Sequence, residues 1–195
     1  MAQTQRRGSE SSQMLLFARN FFKHPVMLGS VIPSSRFLIR HLMREISWKR
    51  ARVIVEYGPG VGTITRHLLR RMRPDARLLV FETNADFVEF LRAHFPDPRL
   101  HVVHGSAAEV GTMLARMGVQ HADYVISGIP FSTMPDEVRQ QVLQATRDAL
   151  RPDGAFLVYQ FSRAVYPHLE RVFRSVRQDF EPLNILPAHL FFCTP

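Results

Sequence analysis

Glu56-Tyr57-Gly58-Pro59-Gly60-Val61-Gly62 follows directly on the apolar run Val53-Ile54-Val55. A buried strand that ends in glycines and opens a helix offers bare backbone and unpaired N–H groups to a polar ligand. Glycine removes the Cβ, and the first turn of a helix carries partial positive charge. That is the chemistry of a nucleotide-cofactor site. The dinucleotide fingerprint G-x-G-x-x-G requires glycine at position 63, where Thr63 stands; the third glycine here is Gly62. About two dozen residues after Gly58, the run Arg77-Leu78-Leu79-Val80-Phe81 ends in Glu82 and Thr83, where nucleotide-binding folds set a carboxylate against ribose hydroxyls. A carboxylate can accept from both hydroxyls at once. Taken singly, a glycine-rich turn also serves packing and a strand-end glutamate also serves solvation. Both at this spacing favour a site.

Those groups need a frame that brings strand ends together. Apolar runs near 52–56, 77–82, 99–104, 122–127, 154–161, 179–185 and 189–194 read as strands, and amphipathic stretches near 62–73, 84–94, 107–117, 136–150 and 163–177 read as helices. Short apolar strands separated by helices imply an α/β fold with parallel pairing and right-handed crossovers. Only Leu186-Pro187-Ala188 separates the last two strands, which therefore pair as an antiparallel hairpin. Pro152-Asp153-Gly154 marks a turn before the fifth strand. In such a sheet the ligand lies beyond the carboxyl ends of the strands. Two further strand ends then face the crevice: Gly105-Ser106-Ala107 and Ser127-Gly128-Ile129-Pro130-Phe131. Tyr159 and Gln160, near the end of the fifth strand, either line an acceptor pocket or sit on the strand face. Ser34 and Ser35 precede the periodic stretch from Phe37 to Met43, as an N-cap or as contacts to a bound cofactor.

The acidic residue two before the first glycine, with glycines at 58, 60 and 62, resembles the E/D-x-G-x-G-x-G motif of class I S-adenosylmethionine-dependent methyltransferases. The resemblance implies a Rossmann-like, seven-stranded sheet with helices on both faces and one reversed strand at the edge. That domain would span about residues 48–195, behind an N-terminal helical arm at 1–47. It implies S-adenosylmethionine as cofactor and S-adenosylhomocysteine as product. The cofactor would be held by Glu56, Gly58, Pro59, Gly60, Gly62, Glu82 and Thr83, by Gly105, Ser106 and Ala107 near the adenine, and by Ser127, with Ser34 and Ser35 at the amino-acid end. Ser127 to Phe131 resembles the N/D-x-P-Y/F motif of amino-directed methyltransferases, in which a backbone carbonyl and a flanking polar group hold the acceptor nitrogen. Ser127, Gly128, Ile129 and Pro130 would then be catalytic, with Phe131 and Tyr159 at the substrate. Ser127 departs from the motif, since its hydroxyl is shorter and less directional than an Asn or Asp side chain.

Phe21-Phe22-Lys23-His24-Pro25, Gly29-Ser30-Val31-Ile32-Pro33-Ser34-Ser35, the Gly58 loop and Ser127-Gly128-Ile129-Pro130 together resemble the bacterial phosphatidylethanolamine N-methyltransferases. That family implies methyl transfer to the head-group amine, towards phosphatidylcholine, by a small peripheral membrane enzyme. Within residues 12–24, Phe17, Phe21 and Phe22 fall on one arc of a helix and Arg19 and Lys23 on the other. Such a helix either lies on an anionic phospholipid surface or docks on the domain core. A net charge of +8 and a pI near 10.7 suit an anionic partner.

Other classes fit less well. Cys193 is the single cysteine, so no intrachain disulfide forms, and the nine histidines show no metal-ligand spacing. No apolar run approaches the roughly 20 residues of a membrane span, and the N-terminus lacks an apolar signal core. The expected place is the cytoplasm, at the membrane surface. An rRNA adenine N6-dimethyltransferase shares the glycine loop and a related motif. Ser127 speaks against that reading, as does a chain whose last strand is followed by no helical RNA-binding domain, and nucleic acid is the less favoured partner. The reading from another class is a lipid- or RNA-binding module that kept the fold without the chemistry.

Overall fold

The computed structural model describes residues 35–184 and 186–195. Ser34 and the expected helix at 12–24, with Phe17, Arg19, Phe21, Phe22 and Lys23, lie outside the described residues. In chain order the elements are α1 (Arg36–Arg44), β1 (Val53–Tyr57), α2 (Thr63–Arg71), β2 (Arg77–Glu82), α3 (Ala85–His94), β3 (Leu100–His104) and α4 (Val110–Arg116). There follow β4 (Ala122–Ser127), α5 (Asp136–Ala149), β5 (Leu150–Gln160), α6 (Tyr166–Val172), β6 (Ser175–Glu181) and β7 (Ala188–Thr194), with short 3-10 turns at Ala107–Glu109 and Phe131–Thr133.

The strands form one sheet in the order β3-β2-β1-β4-β5-β7-β6. β1 to β5 run parallel, and β7 pairs antiparallel with both β5 and β6. All five residues of β1 are buried, as a strand covered on both faces requires. One core sits between the sheet and α1 to α3, with Leu38, Leu42, Leu68 and Leu91 at most 0% exposed. The other lies under α4 to α6, around Leu114, Leu143, Phe156 and Leu169. The chain turns in opposite directions on either side of β1 and β4, so the ends of these two strands form the switch point over which ligands bind in such sheets.

The end of the chain departs from expectation in two ways. The reversed strand is β7, inserted between β5 and β6, so the edge belongs to β6. β6 begins at Ser175, inside the stretch expected to be helical, and α6 stops at Val172. Ser175-Val176-Arg177-Gln178-Asp179-Phe180-Glu181 carries the polar and charged side chains of an exposed edge, which blur its strand alternation. The expected turn at 152–154 is instead a bulge within β5: the register to β4 shifts between the pairs Ala122–Leu150 and Tyr124–Ala155.

α1 is tied to that edge. Ser35 caps it, its hydroxyl accepting from the Leu38 N–H at 3.2 Å, while its own N–H donates to Asn184 Oδ1 at 2.8 Å. His41 Nε2 lies 3.0 Å from Asp179 Oδ2, and Arg177 pairs with Glu45 at 2.6 Å. With Leu38, Ile39, Leu42 and Met43 buried, α1 shares the core of the sheet.

Candidate active site

Four strand ends are stitched together at the crevice by single backbone hydrogen bonds. The N–H of Gly58, just past β1, donates to the Phe81 carbonyl at 2.9 Å; that of Gly105, past β3, donates to Glu82 at 3.1 Å; that of Gly128, past β4, donates to Tyr57 at 3.2 Å. Gly58, Gly60 and Gly62 all have left-handed backbones, with φ of 67°, 53° and 74°. A Cβ at Gly58 would lie 2.7 Å from the Ile129 side chain, so glycine there lets the first and fourth strand ends meet. A Cβ at Gly62 would lie 2.6 Å from the Phe95 ring, which makes the third glycine a packing position between α2 and α3.

Glu82 organises the floor. Its Oε2 accepts from the Gly60 N–H at 3.2 Å, and its Oε1 accepts from the N–H groups of Thr83 and Asn84, both at 2.9 Å. Burial pushes its carboxyl above the ordinary range, while these three N–H groups pull the other way. Two oxygens offer about four acceptor positions, so capacity remains for a ligand hydroxyl.

A cavity of about 310 Å³ opens over this floor, within the roughly 300–1,000 Å³ typical of small-molecule sites. Gly58, Glu82 and Thr83 form one wall, Gly105, Ser106 and Ala107 a second, and Ile129 and Pro130 a third. Pro59, Gly60 and Gly62 complete the turn behind Gly58. Ser106 also caps the following 3-10 turn: its hydroxyl accepts from the Ala108 N–H at 3.2 Å, and Glu109 accepts from the Ser106 N–H. That leaves the Ser106 hydroxyl hydrogen for a ligand. Sequence reading did not find the apolar lining, which comes from Phe81, Phe87, Met134, Val138 and Val142. A shallower depression of about 660 Å³ runs along β3, lined by Phe95, Pro98 and Met117 among others, and holds none of the expected site residues.

Several expected site residues stand elsewhere. Glu56 is one residue out of phase with Tyr57, so strand alternation sends its side chain away from the cavity wall; its Oε2 accepts the Thr65 hydroxyl at 2.7 Å. Ser127 is fully buried as the last residue of β4, and its Oγ has no hydrogen-bond partner among the described residues. Phe131 is turned into the core by the 3-10 turn and packs edge-on to Phe156, with ring centroids 6.2 Å apart. Neither lines the cavity. Ser35 is the cap of α1 and is likewise absent from the lining. Tyr159 lies beside the acceptor segment: a Cβ at Gly128 would fall 2.1 Å from its hydroxyl.

Arg139 gains importance from the fold alone, and Gln160, one of the two residues expected at the end of β5, acquires a defined partner. Arg139, on α5, donates from Nη1 to the carbonyls of Phe131 at 3.0 Å and Met134 at 3.3 Å and pairs with Asp136, which fixes the turn beyond Pro130. Gln160 donates to the Ile129 carbonyl. Among the described residues no group of His, Cys, Asp and Glu could hold a metal ion.

Burial raises the Glu56 carboxyl to about 7; hydrogen bonds from Thr65 lower it and the nearby Glu82 charge raises it. An unfolded chain releases this proton near 4.5, so the folded state binds it more tightly. The associated stability is full below pH 4.5 and disappears as pH rises through 7. Its size is on the order of 3 kcal/mol. Glu56→Gln is therefore expected to flatten the fall in melting temperature between pH 5 and pH 8, which thermal melts at the two pH values check.

The left-handed glycine turn, the anchored carboxylate and the cavity fit an adenosine cofactor with a ribose hydroxyl at Glu82. Comparison with known proteins agrees. Residues 28–181 match the methyltransferase small domain family. The chain is 37% identical over 180 residues to the ornithine lipid N-methyltransferase of Singulisphaera acidiphila, covering 91% of this chain and 94% of that one. It is also 37% identical to ribosomal RNA small subunit methyltransferase A of Laribacter hongkongensis, but over 71 residues, 36% of this chain and 26% of that one. Human methyltransferase-like protein 13 in complex with SAH superposes with a TM-score of 0.59 at 18% identity, covering 88% and 81% of the two chains. A Geobacter sulfurreducens methyltransferase reaches 0.61 at 15% identity, covering 93% and 90%. These structures share the fold. The chain thus belongs to the methyltransferase small domain family, and it is a methyltransferase of the class I fold with S-adenosylmethionine as its methyl donor.

Proposed function

We propose that this methyltransferase acts on the head-group amine of phosphatidylethanolamine, towards phosphatidylcholine, at the surface of an anionic membrane. One observation carries the amine reading. Of the carbonyls at 128–130, that of Ile129 accepts from Phe131 N–H and Gln160, and that of Pro130 accepts from the Thr133 N–H and hydroxyl, whereas that of Gly128 meets no donor among the described residues. A carbonyl that meets no donor among the described residues, beside a methyl-donor cavity, is an acceptor for an amine N–H. The lipid reading is supported by the relative named for N-methylation of ornithine lipid. The net charge of +8 supports an anionic surface. Among the described residues no helix is long and apolar enough to cross a membrane.

When bound, S-adenosylmethionine would supply an electrophilic methyl group, whose carbon an uncharged amine nitrogen would attack in line while the sulfur leaves with the C–S electron pair as the thioether of S-adenosylhomocysteine and the nitrogen takes up the positive charge. The protein's task is placement and dehydration. Gly58, Glu82, Thr83, Gly105, Ser106 and Ala107 hold the donor. The Gly128 carbonyl accepts one N–H of the amine and so aims its lone pair, with Tyr159 packed behind that carbonyl's residue. Holding an alkylamine neutral near pH 7 costs about 4 kcal/mol from an ordinary pKa near 10. An apolar mouth of Ile129, Met134 and Val138 favours the uncharged form, because burial penalises the ammonium.

Methyl-labelled S-adenosylmethionine incubated with vesicles of phosphatidylethanolamine and anionic lipid is expected to leave label in the lipid extract. Ornithine lipid vesicles and RNA run alongside. Label confined to ornithine lipid would move the head group, and label confined to RNA would overturn the lipid reading.

A further inference from the structure

Gln160 is the last residue of β5 and is 7% exposed. Its amide nitrogen donates to the Ile129 carbonyl at 2.7 Å and to the Tyr159 carbonyl at 2.9 Å, so both of its N–H bonds are engaged. The Ile129 carbonyl also accepts from the Phe131 N–H at 2.9 Å, which fills its two lone pairs. Thirty-one positions of sequence separate the two partners of the Gln160–Ile129 bond. It fastens the segment after β4 to the end of its neighbour β5. On the other side of the same segment the Tyr159 ring sits so close to Gly128 that a Cβ would lie 2.5 Å from Cζ. The acceptor segment is thus clamped by two consecutive residues of one strand, which point to opposite faces.

We propose that Gln160 is a positioning residue for methyl transfer: by saturating the Ile129 carbonyl and pinning it to β5, it leaves the Gly128 carbonyl as the group presented to the amine. This rests on the amine reading above. Without the clamp, the Ile129 carbonyl is short of a donor in a buried place and turns to find one, carrying Gly128 with it. A displacement of about 1 Å near the chemistry lowers rate on the order of 100-fold.

The test uses the full chain and four readouts. Gln160→Met keeps length and removes both donors. It is expected to speed hydrogen exchange of the Phe131 amide at least about tenfold and to lower kcat by about 10- to 100-fold, with S-adenosylhomocysteine affinity within about threefold of wild type. Gln160→Glu sets a carboxylate against two carbonyl oxygens, and its protonated form restores one donor. Its rate relative to wild type is therefore expected to rise as pH falls from 8 to 6, which also serves if the methionine variant fails to fold. Unchanged Phe131 exchange, a kcat loss matched by an equal loss of cofactor affinity, or a flat relative pH profile would each overturn the proposal. If wild type labels no lipid amine, the lipid reading falls separately, and Phe131 exchange still decides whether Gln160 clamps the segment.

Discussion

Replacing Glu82 with alanine is expected to lower S-adenosylhomocysteine affinity by at least about 100-fold in calorimetry, with the fold retained. The carboxylate accepts from Gly60, Thr83 and Asn84, so one side chain both shapes the glycine turn and faces the cavity. Hydrogen bonds to a charged group contribute about 1.5–3 kcal/mol each, and losing one such contact to the ligand already amounts to roughly a tenfold to hundredfold change in Kd. Release of the Gly60 turn adds to that. The fold survives because Glu82 and Thr83 line a cavity, so truncation at residue 82 opens onto space that water can enter. Affinity within threefold of wild type would remove Glu82 from the cofactor site.

Gly128→Ala has the opposite signature. Gly128 does not have a left-handed backbone, so alanine is acceptable to the chain itself, and the whole effect comes from the Cβ placed 2.1 Å from the Tyr159 hydroxyl. Either the ring or the segment moves. Single-turnover methyl transfer is expected to fall about 100-fold, with S-adenosylhomocysteine affinity changed far less, because Gly128 does not line the cavity. Gly128→Ala combined with Tyr159→Ala removes the obstacle and is expected to recover part of the rate. A single variant as fast as wild type would show that the segment tolerates displacement and plays no part in placing the amine.

The donor half of this site was legible because its signals are local. Glycine spacing, the strand that precedes it and the carboxylate ending the next strand are all set within short stretches, and Gly58, Glu82, Thr83, Gly105, Ser106 and Ala107 stand on the cavity wall. Glu56 was misplaced by one step of strand alternation. Ser127 and Phe131 were misplaced because the chain dives into the core on either side of Gly128 and Pro130, which no pattern of residue types announces. Gln160 and Arg139 act through bonds to backbone carbonyls that sequence neighbours do not share. The edge strand β6 was read partly as helix because it has a single sheet neighbour, β7, and its residues answer to solvent as much as to a core.

The place of β7 between β5 and β6 also bears on how the molecule assembles. β1 pairs with β2 and β2 with β3, each across a single helical crossover, so this half of the sheet is assembled from neighbouring stretches of chain. β5 gains its outer neighbour only when β7, the last strand of the chain, returns past β6. Tyr159 and Gln160 lie in that late-closing strand, opposite Leu190 and His189. During synthesis on the ribosome, the nucleotide pocket can therefore take shape while the wall that aims the amine is still open, and competence to transfer a methyl group arrives with the final strand.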